Sequence, residues 1–256
     1  MDILEAFCID YDCSEHITFV GGGGKTTAMF AIAQALKKKG CKVLVTTTTN
    51  IFYPEAGQCD TVIMDSSPTL GMFTGLSSST VVCLGGGVFG DLNKVKSIAP
   101  DFLDALFTVK IFDHILVEAD GAKRKPIKAP AEYEPVVPLS ATSAIGVIGM
   151  DVLGLPAEER YVHRLDKFCE VAGISEGAEV DERTIVNLIK HGNGLFKGVP
   201  LATVKTVLLN KADTKTVRKR CAIIAGLMKP EPGVSAVVSA SMDQPRVYEC
   251  YRSLCR

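Results

Sequence analysis

The stretch VGGGGKTT at positions 20–27 constrains the fold of this chain more than any other part of its sequence. It lies between the apolar run ITFVG (17–21), which predicts a strand, and a segment of helical period at about 25–39. Consecutive glycines let the backbone turn with positive φ and bring its N–H groups close to an anion. Four glycines provide this freedom here: Gly21, Gly22, Gly23 and Gly24. The pattern predicts a loop that binds phosphate groups.

The residues after the glycines supply the other groups of such a loop. Lys25 can reach the β- and γ-phosphates of a nucleotide, and the hydroxyl of Thr26 can coordinate Mg²⁺. Thr27 continues into the helix, whose positive end adds to the same site. The full P-loop pattern has a glycine at position 19, where this chain has Phe19. The alternative is a glycine-rich turn that only joins a strand to a helix, but the order of strand, GKTT and helix favours nucleotide binding.

Apolar, β-rich runs alternate with helix-period segments along most of the chain. The runs hardly alternate in polarity, as expected of strands buried on both faces of a parallel sheet. After ITFVG they are KVLVTTTT (42–49), VVCLGG (81–86), HILVEAD (114–120), SAIGVIGM (143–150), TVLLN (206–210) and SAVVSAS (235–241), with a helix-like IAPDFLDALF at 98–107. This order predicts an α/β protein with three layers and a mostly parallel sheet, which together with the glycine-rich loop indicates a P-loop NTPase fold.

Residues 151–200 break this rhythm. ERYVHRLDKFCEVAG and DERTIVNLIKHG predict two helices with no strand between them. We interpret them as a helical insertion on one edge of the sheet, within a single domain that spans residues 1–256.

Composition excludes several classes of protein. The 28 basic and 29 acidic residues nearly balance, so nothing global indicates a nucleic-acid or membrane-surface partner. No apolar run approaches ~18 residues and the start MDILEAFCID has no basic region, so we expect neither a transmembrane helix nor a signal peptide, and a cytoplasmic location. The nine cysteines form no CxxC pair and are expected to be free thiols. A weaker alternative is a metal bound by Cys8 and Cys13 or by Cys250 and Cys255.

Two strand ends carry polar residues that face the predicted phosphate site. TTTTN (46–50) ends the second strand, and one of Thr47, Thr48 and Thr49 either binds Mg²⁺ or senses a γ-phosphate, or all three are a plain polar strand end. HILVEAD ends in Glu118 and Asp120, which we predict to be the catalytic carboxylates, one orienting water and Glu118 also serving as a metal ligand.

The same stretch continues as GAKRKPIKAP (121–130). Glu118 and Gly121 have the form Glu-x-x-Gly, in which the glycine N–H faces the γ-phosphate in one class of P-loop proteins. Four basic residues follow: Lys123, Arg124, Lys125 and Lys128. They form either a solvated basic turn or a clamp for a second anionic ligand.

An Asn-Lys-x-Asp sequence follows the strand TVLLN. Asp213 has the chemistry to accept two hydrogen bonds from guanine, with Asn210 and Lys211 beside it, and the Ser239–Ala240 pair follows at the end of a later strand. G proteins carry their motifs in this order. A site built on such polar groups leaves them unpaired when adenine enters, at about 1–3 kcal/mol per group. The alternative is a solvated turn after a buried strand.

These motifs resemble those of the P-loop proteins that include the nickel-inserting GTPases of hydrogenase and urease maturation. The chain more closely resembles the selenium-dependent hydroxylase accessory protein family, the YqeC family, over about residues 15–240. The stretches that carry this resemblance are VGGGGKTT, VLVTTTTNI, LVEADGAKRKPIKAP, YEPVVP, IGMDVLGLP, VHR, GLFKGVP and VLLNKAD. The resemblance implies a role in maturing selenium-dependent molybdenum hydroxylases, and a hydroxylase client or cofactor-assembly protein as partner.

Three functions are compatible with these patterns. The first is a GTPase, or a GTP-preferring NTPase, that uses Mg²⁺ and assists cofactor assembly. The second is an ATP-dependent transferase or ligase acting on an anionic cofactor precursor. The third is a nucleotide-gated scaffold with negligible turnover.

Overall fold

The computed structural model describes residues 1–89, 93–228 and 233–252. Within them the chain forms fourteen strands and six α-helices. The strands are β1 (Glu15–Gly21), β2 (Lys42–Thr47), β3 (Ile51–Phe52), β4 (Thr61–Met64), β5 (Thr80–Gly85), β6 (Val88–Phe89), β7 (Lys94–Val95), β8 (His114–Glu118), β9 (Ile127–Lys128), β10 (Ser143–Gly149), β11 (Val162–His163), β12 (Val204–Asn210), β13 (Ala236–Ser241) and β14 (Arg246–Arg252). The helices are α1 (Ile3–Ala6), α2 (Lys25–Lys38), α3 (Pro100–Thr108), α4 (Leu165–Ala172), α5 (Glu182–Lys190) and α6 (Lys215–Leu227), with short 3₁₀ helices at Leu70–Phe73 and Met150–Val152.

Nine strands form one large sheet in the order β14-β13-β12-β10-β1-β8-β2-β5-β4. Every neighbouring pair is parallel except β13 and β14. Strand β1 lies in the middle, between β10 and β8. The carboxyl ends of the parallel strands therefore meet at one edge of the sheet, with the loop after β1 at the centre of that edge. The predicted α/β fold with a large, mostly parallel sheet is confirmed.

Helices cover both faces of this sheet. The core on one face joins α1 and α2 to inward residues of the central strands, among them Phe19 and Leu116. The opposite face carries α4, α5 and α6, packed on residues such as Val20 and Leu209, and also α3. Adjacent residues such as Phe19 and Val20 point to opposite faces because side chains alternate along a strand. Both are fully buried, which explains why these strands read as continuous apolar runs.

The segment between β10 and β12 contains the two predicted helices, α4 and α5, and no strand between them. Their buried residues belong to the same core as those of α6. These helices therefore lie on a face of the sheet, as the crossover between two neighbouring strands, and the prediction of an insertion on an edge was wrong. The apolar residues of α4 and α5 are buried in this core together with those of α6 and of the strands beneath.

The sequence interpretation missed the two edge strands. β4 reads TVIM and is half-buried, and β14 (RVYECYR) contains only half-buried and exposed residues, so neither shows a long apolar run. Two small sheets, β11-β9 and β3-β7-β6, also have strands too short for a recognisable pattern. Within the described part of the chain, no helix combines the length and apolar content needed to cross a membrane.

Candidate functional site

The four glycines between β1 and α2 form a tight loop, the glycine loop (Gly21–Gly24). Gly21, Gly23 and Gly24 have positive φ values of 96°, 81° and 116°. A Cβ on Gly21 would lie 2.3 Å from the carbonyl oxygen of Val147, and one on Gly24 would lie 2.4 Å from Nδ2 of Asn210. Both the backbone conformation and the close neighbours therefore require glycine.

Three N–H groups of the glycine loop are bound within the protein. Gly21 donates to Oδ2 of Asp120 at 3.1 Å, Gly22 to the carbonyl of Val147 at 2.9 Å, and Gly23 to the carbonyl of Lys125 at 3.1 Å. The glycine loop is thus held in place by hydrogen bonds to the segments that pack against it. The N–H groups left for an anion are those at the start of α2 that precede its first backbone bond, which Ala28 donates to the carbonyl of Gly24 at 3.0 Å. No side chain caps this helix and its first turn contains no acidic residue, so its positive end faces outward.

The side chain of Lys25 is buried and turned toward two carboxylates. Its Nζ donates to the carbonyl of Gly21 at 2.6 Å and lies 3.2 Å from Oδ1 of Asp120 and 3.5 Å from Oε1 of Glu118. Burial alone would lower the pKa of this ammonium, but Asp120 and Glu118 together raise its pKa above the ordinary value. Lys25 is therefore firmly protonated.

Glu118 and Asp120 differ in their surroundings, although both are almost fully buried. The Thr26 hydroxyl donates to Oε2 of Glu118 at 2.6 Å. Burial raises the pKa of Glu118, and Lys25 and the Thr26 hydroxyl only partly offset this. Oδ1 of Asp120 is buried, and its one close polar neighbour among the described contacts is the ammonium of Lys25, at 3.2 Å. This oxygen can accept a further hydrogen bond.

The basic residues 123–128 separate into different environments. Lys128 is 2% exposed; its Nζ donates to Glu134 at 2.5 Å and to the carbonyl of Gly121 at 2.8 Å, and lies 3.1 Å from Oδ2 of Asp120. Glu134 in turn pairs with Arg164 at 3.0 Å. Lys128 is thus neither solvated nor free to clamp a second ligand, so for this residue both sequence interpretations were wrong.

The other three basic residues lie nearer the surface. Lys125 donates to the carbonyl of Val162 at 3.0 Å. Lys123 is exposed, and the exposed guanidinium of Arg124 stacks 4.1 Å from the ring centre of Phe52.

The threonines at the end of β2 make different contacts. The hydroxyl of Thr47 donates to the carbonyl of Glu118 at 2.8 Å, and that of Thr48 to the carbonyl of Val136 at 2.6 Å. The hydroxyl of Thr49 faces Gly121, where a Cβ would lie 3.8 Å from its oxygen. Thr47 and Thr48 therefore hold neighbouring backbone, and Thr49 is the one of the three whose hydroxyl faces the Glu-x-x-Gly loop.

A cleft of about 530 Å³ opens beside the glycine loop. Its volume lies in the range of small-molecule sites. It is lined by the glycine loop, the first turn of α2, the ends of β12 and β13 with the segments that follow them, and β14: Gly24, Thr27, Asn210, Lys211, Asp213, Ser241, Asp243, Gln244, Arg246 and Tyr248. The structure thus brings the glycine loop and the Asn-Lys-x-Asp sequence to one cleft at the carboxyl edge of the sheet.

Asn210 ties the walls of this cleft together. It is 3% exposed, its Nδ2 donates to the carbonyl of Gly23 at 2.8 Å, and its Oδ1 accepts from the N–H of Met242 at 3.0 Å. Lys211 has a φ of 62° and pairs with Asp151 at 2.6 Å. The Asp213 residue is exposed. Of the three motif residues, Asn210 is thus a brace between loops and Asp213 is open to a ligand.

Ser239 and Ala240 lie within β13 and are fully buried between β12 and β14. They do not line the cleft, and their predicted place at its wall is taken by Ser241, Asp243 and Gln244. The reason is that β13 continues to Ser241 before the chain turns.

Several residues of the site were missed in the sequence. Asp151 follows directly after the carboxyl end of β10, a position that could have identified it. Arg246 and Tyr248 gave no signal, because they come from an antiparallel edge strand that follows a turn. The burial of Lys128 could not be predicted, because this residue stands in a run of charged residues that is typical of exposed turns.

The cysteines carry no disulfide in the described part of the chain. Cys8, Cys13, Cys41, Cys59, Cys83, Cys169, Cys221 and Cys250 are free, as predicted, and Cys255 lies outside the described residues. Among the described residues, no group of three or more His, Cys, Asp and Glu side chains is arranged to hold a metal ion.

Comparison with known proteins places the chain in a family. The sequence model of the family described as "YqeC protein" matches residues 17–166, which include the glycine loop, Glu118, Asp120 and Lys128. The protein named "Uncharacterized protein YqeC" from Escherichia coli (strain K12) is 34% identical over 195 residues, covering 76% of this chain and 75% of that protein. No solved structure matches the chain. The chain belongs to the YqeC family.

Proposed function

We propose that this protein has the P-loop NTPase fold and is a Mg²⁺-dependent GTPase. The observation that carries the proposal is the cleft itself, which joins an uncapped helix N-terminus after the glycine loop to Asp213 and its neighbours. A nucleotide has an anionic end and a base with a distinct hydrogen-bonding pattern, and the two ends of this cleft match them.

The phosphate end is built from Lys25 and the first turn of α2. Backbone N–H groups at the start of a helix, together with its dipole, bind phosphate. Lys25 now faces Asp120 and Glu118, so a bound phosphate would compete with these carboxylates for its ammonium. The nucleotide phosphates are the ligands expected to draw it into the cleft.

The base end is assigned to Asp213. An exposed carboxylate in the lining of the cleft can accept hydrogen bonds from the N1–H and the 2-amino group of guanine, and adenine offers neither. Asn210 supports this wall through its bonds to Gly23 and Met242. We therefore propose GTP in preference to ATP.

The residues beside Lys25 also fit a magnesium ion. Mg²⁺ prefers oxygen ligands and binds proteins through one or two carboxylates together with substrate phosphates. Thr26 and Glu118 place a hydroxyl and a carboxylate oxygen 2.6 Å apart next to the phosphate end, and they are the residues that would hold the ion. When bound, Mg²⁺ supplies neutralisation of the phosphate charge.

The second carboxylate, Asp120, is assigned to the attacking water. Its buried Oδ1 faces the ammonium of Lys25 at 3.2 Å and has no other hydrogen-bond partner among the described residues. Once Lys25 has turned to a phosphate, this oxygen is the acceptor best placed to orient water. The Gly21 N–H bond to Oδ2 fixes the direction of the carboxylate.

The biological process that nucleotide turnover would serve is inferred from the family resemblance. We propose that nucleotide turnover gates a step in the maturation of selenium-dependent molybdenum hydroxylases in the cytoplasm, with the hydroxylase or a cofactor-assembly protein as partner. The alternative, an ATP-dependent ligase with a basic clamp for an anionic precursor, draws less support. Two of its four clamp residues, Lys125 and Lys128, already bind protein groups.

Substitution of Lys25 by alanine tests the phosphate site. We expect the Lys25→Ala variant to lose measurable affinity for GTP and GDP in isothermal titration calorimetry, while its thermal unfolding remains cooperative. Lys37→Ala is the matched control, because Lys37 lies on the same helix but pairs with Asp60 at the surface. Wild-type affinity in the Lys25 variant would refute the assignment.

A further inference from the structure

The buried charges behind the glycine loop raise a question about how Lys25 is released. Asp120 lies between two ammonium groups, with Lys25 3.2 Å from Oδ1 and Lys128 3.1 Å from Oδ2. All three side chains are at most 3% exposed. Water therefore does little to stabilise any charge left here without a partner.

The two lysines differ in what else they can do. Lys25 begins α2, beside the cleft, and a phosphate would offer it a new partner. Lys128 is held by the carbonyl of Gly121, by Glu134 and by the pairing of β9 with β11. Neither lysine lines the cleft, but Gly24 and Thr27, on either side of Lys25 in the sequence, do, whereas no neighbour of Lys128 in the sequence does.

We propose that Lys128 is a positioning residue that allows Lys25 to leave Asp120 for a ligand phosphate. This inference rests on the proposed function, since it concerns the same phosphate site. With Lys128 in place, Asp120 keeps a counter-ion when Lys25 moves. Without Lys128, the departure of Lys25 leaves a buried carboxylate unpaired, and removing one partner of a buried ion pair is strongly unfavourable.

The contacts of Glu134 explain why Lys128 does not itself become mobile. Glu134 receives Lys128 on one oxygen and Arg164 on the other, at 2.5 Å and 3.0 Å. The row of charges from Lys25 through Asp120, Lys128 and Glu134 to Arg164 alternates in sign. Its first member, Lys25, is the one that begins the helix beside the cleft.

A double-mutant cycle tests the proposal. Lys128→Met should weaken binding at least about 100-fold, the size expected for a buried carboxylate that loses its last counter-ion. Binding is measured by calorimetry in EDTA, so that no metal ion replaces the missing charge, with whichever of GDP and ADP the wild-type protein binds more tightly. The double variant Asp120→Asn with Lys128→Met should bind within about 5-fold of wild type, because the departure of Lys25 then leaves no unpaired charge at position 120.

Two further variants separate this role from a merely structural one. Lys128→Arg keeps the charge and should restore most of the affinity. Lys197→Met is the matched control, since Lys197 donates to the carbonyls of Ala131 and Glu132 in the same region but neutralises no carboxylate there. It should leave nucleotide affinity unchanged.

Each outcome bears on one claim. If wild-type protein binds no nucleotide, the proposed function fails. If wild-type binds but Lys128→Met binds equally well, or if the double variant binds as weakly as Lys128→Met, the inference about Lys128 is wrong. If Lys128→Met does not fold, the double variant is measured alone, because its two substitutions remove one charge of each sign. Weak nucleotide binding by the folded double variant overturns the proposal. An affinity equal to that of the wild-type protein supports it.

Discussion

Asn210 offers a sharp test of how the cleft is held together. Replacement by alanine removes the bond to the carbonyl of Gly23 and the bond from the N–H of Met242, which are 2.8 Å and 3.0 Å long. Each buried group left without a partner costs about 1–3 kcal/mol. We therefore expect Asn210→Ala to lower the free energy of unfolding by about 2–5 kcal/mol. It should also weaken GDP binding at least about 10-fold, because both cleft walls lose a shared brace.

The matched control for this variant is Asn187→Ala. Asn187 is exposed, and its Nδ2 donates to the carbonyl of Ala172 at 2.9 Å, between helices α4 and α5 and away from the cleft. It should lower the melting temperature but leave nucleotide affinity unchanged. Urea unfolding and calorimetric binding measure the two effects separately. If Asn210→Ala and Asn187→Ala bind GDP equally well, Asn210 does not organise the binding site and the reasoning is refuted.

Three other predictions concern the carboxylates and a buried histidine. Asp120→Asn should reduce turnover at least about 100-fold with nucleotide affinity kept, as for a contact made only in the transition state, and an unchanged rate would exclude its role in orienting water. Glu118→Gln should raise the Mg²⁺ concentration needed for half-maximal turnover, and an unchanged Mg²⁺ requirement would exclude it as a ligand. Burial lowers the pKa of His16 to about 4, so its neutral form stabilises the fold above about pH 6.5 and stability falls as the pH drops from there toward 4. A His16→Leu variant should show a shallower loss in acid urea titrations, and an equal slope would contradict the assignment.

The central strands of the large sheet could be predicted from sequence because they are buried on both faces. Strands β1, β8, β10, β12 and β13 are buried along nearly their whole length, so each appears as an apolar run. The edge strands could not be found in this way, since β4 is only half-buried and β14 has no fully buried residue, so neither needs a continuous apolar run. Whether α4 and α5 cover an edge or a face depends on long-range packing, which no local pattern contains.

The site could be predicted only in part, for a related reason. Lys25, Glu118 and Asp213 lie at or shortly after the ends of strands, in local patterns from which a chemical role can be predicted. Residues that contact them from distant parts of the chain belong to no such local pattern. Lys128 looks like one charge in a basic run, and only the folded chain shows it buried against Asp120.

The central claim is that the cleft binds a guanine nucleotide, with its phosphates at the start of α2 and its base at Asp213. The most direct test is to measure the affinities of GTP and ATP side by side, for wild-type protein and for Asp213→Asn. We predict that GTP binds wild-type protein at least about 10-fold more tightly than ATP, and that the substitution removes this preference while the affinity for ATP changes little. Equal affinity of wild-type protein for both nucleotides would contradict the guanine assignment, and binding of neither would contradict the account as a whole.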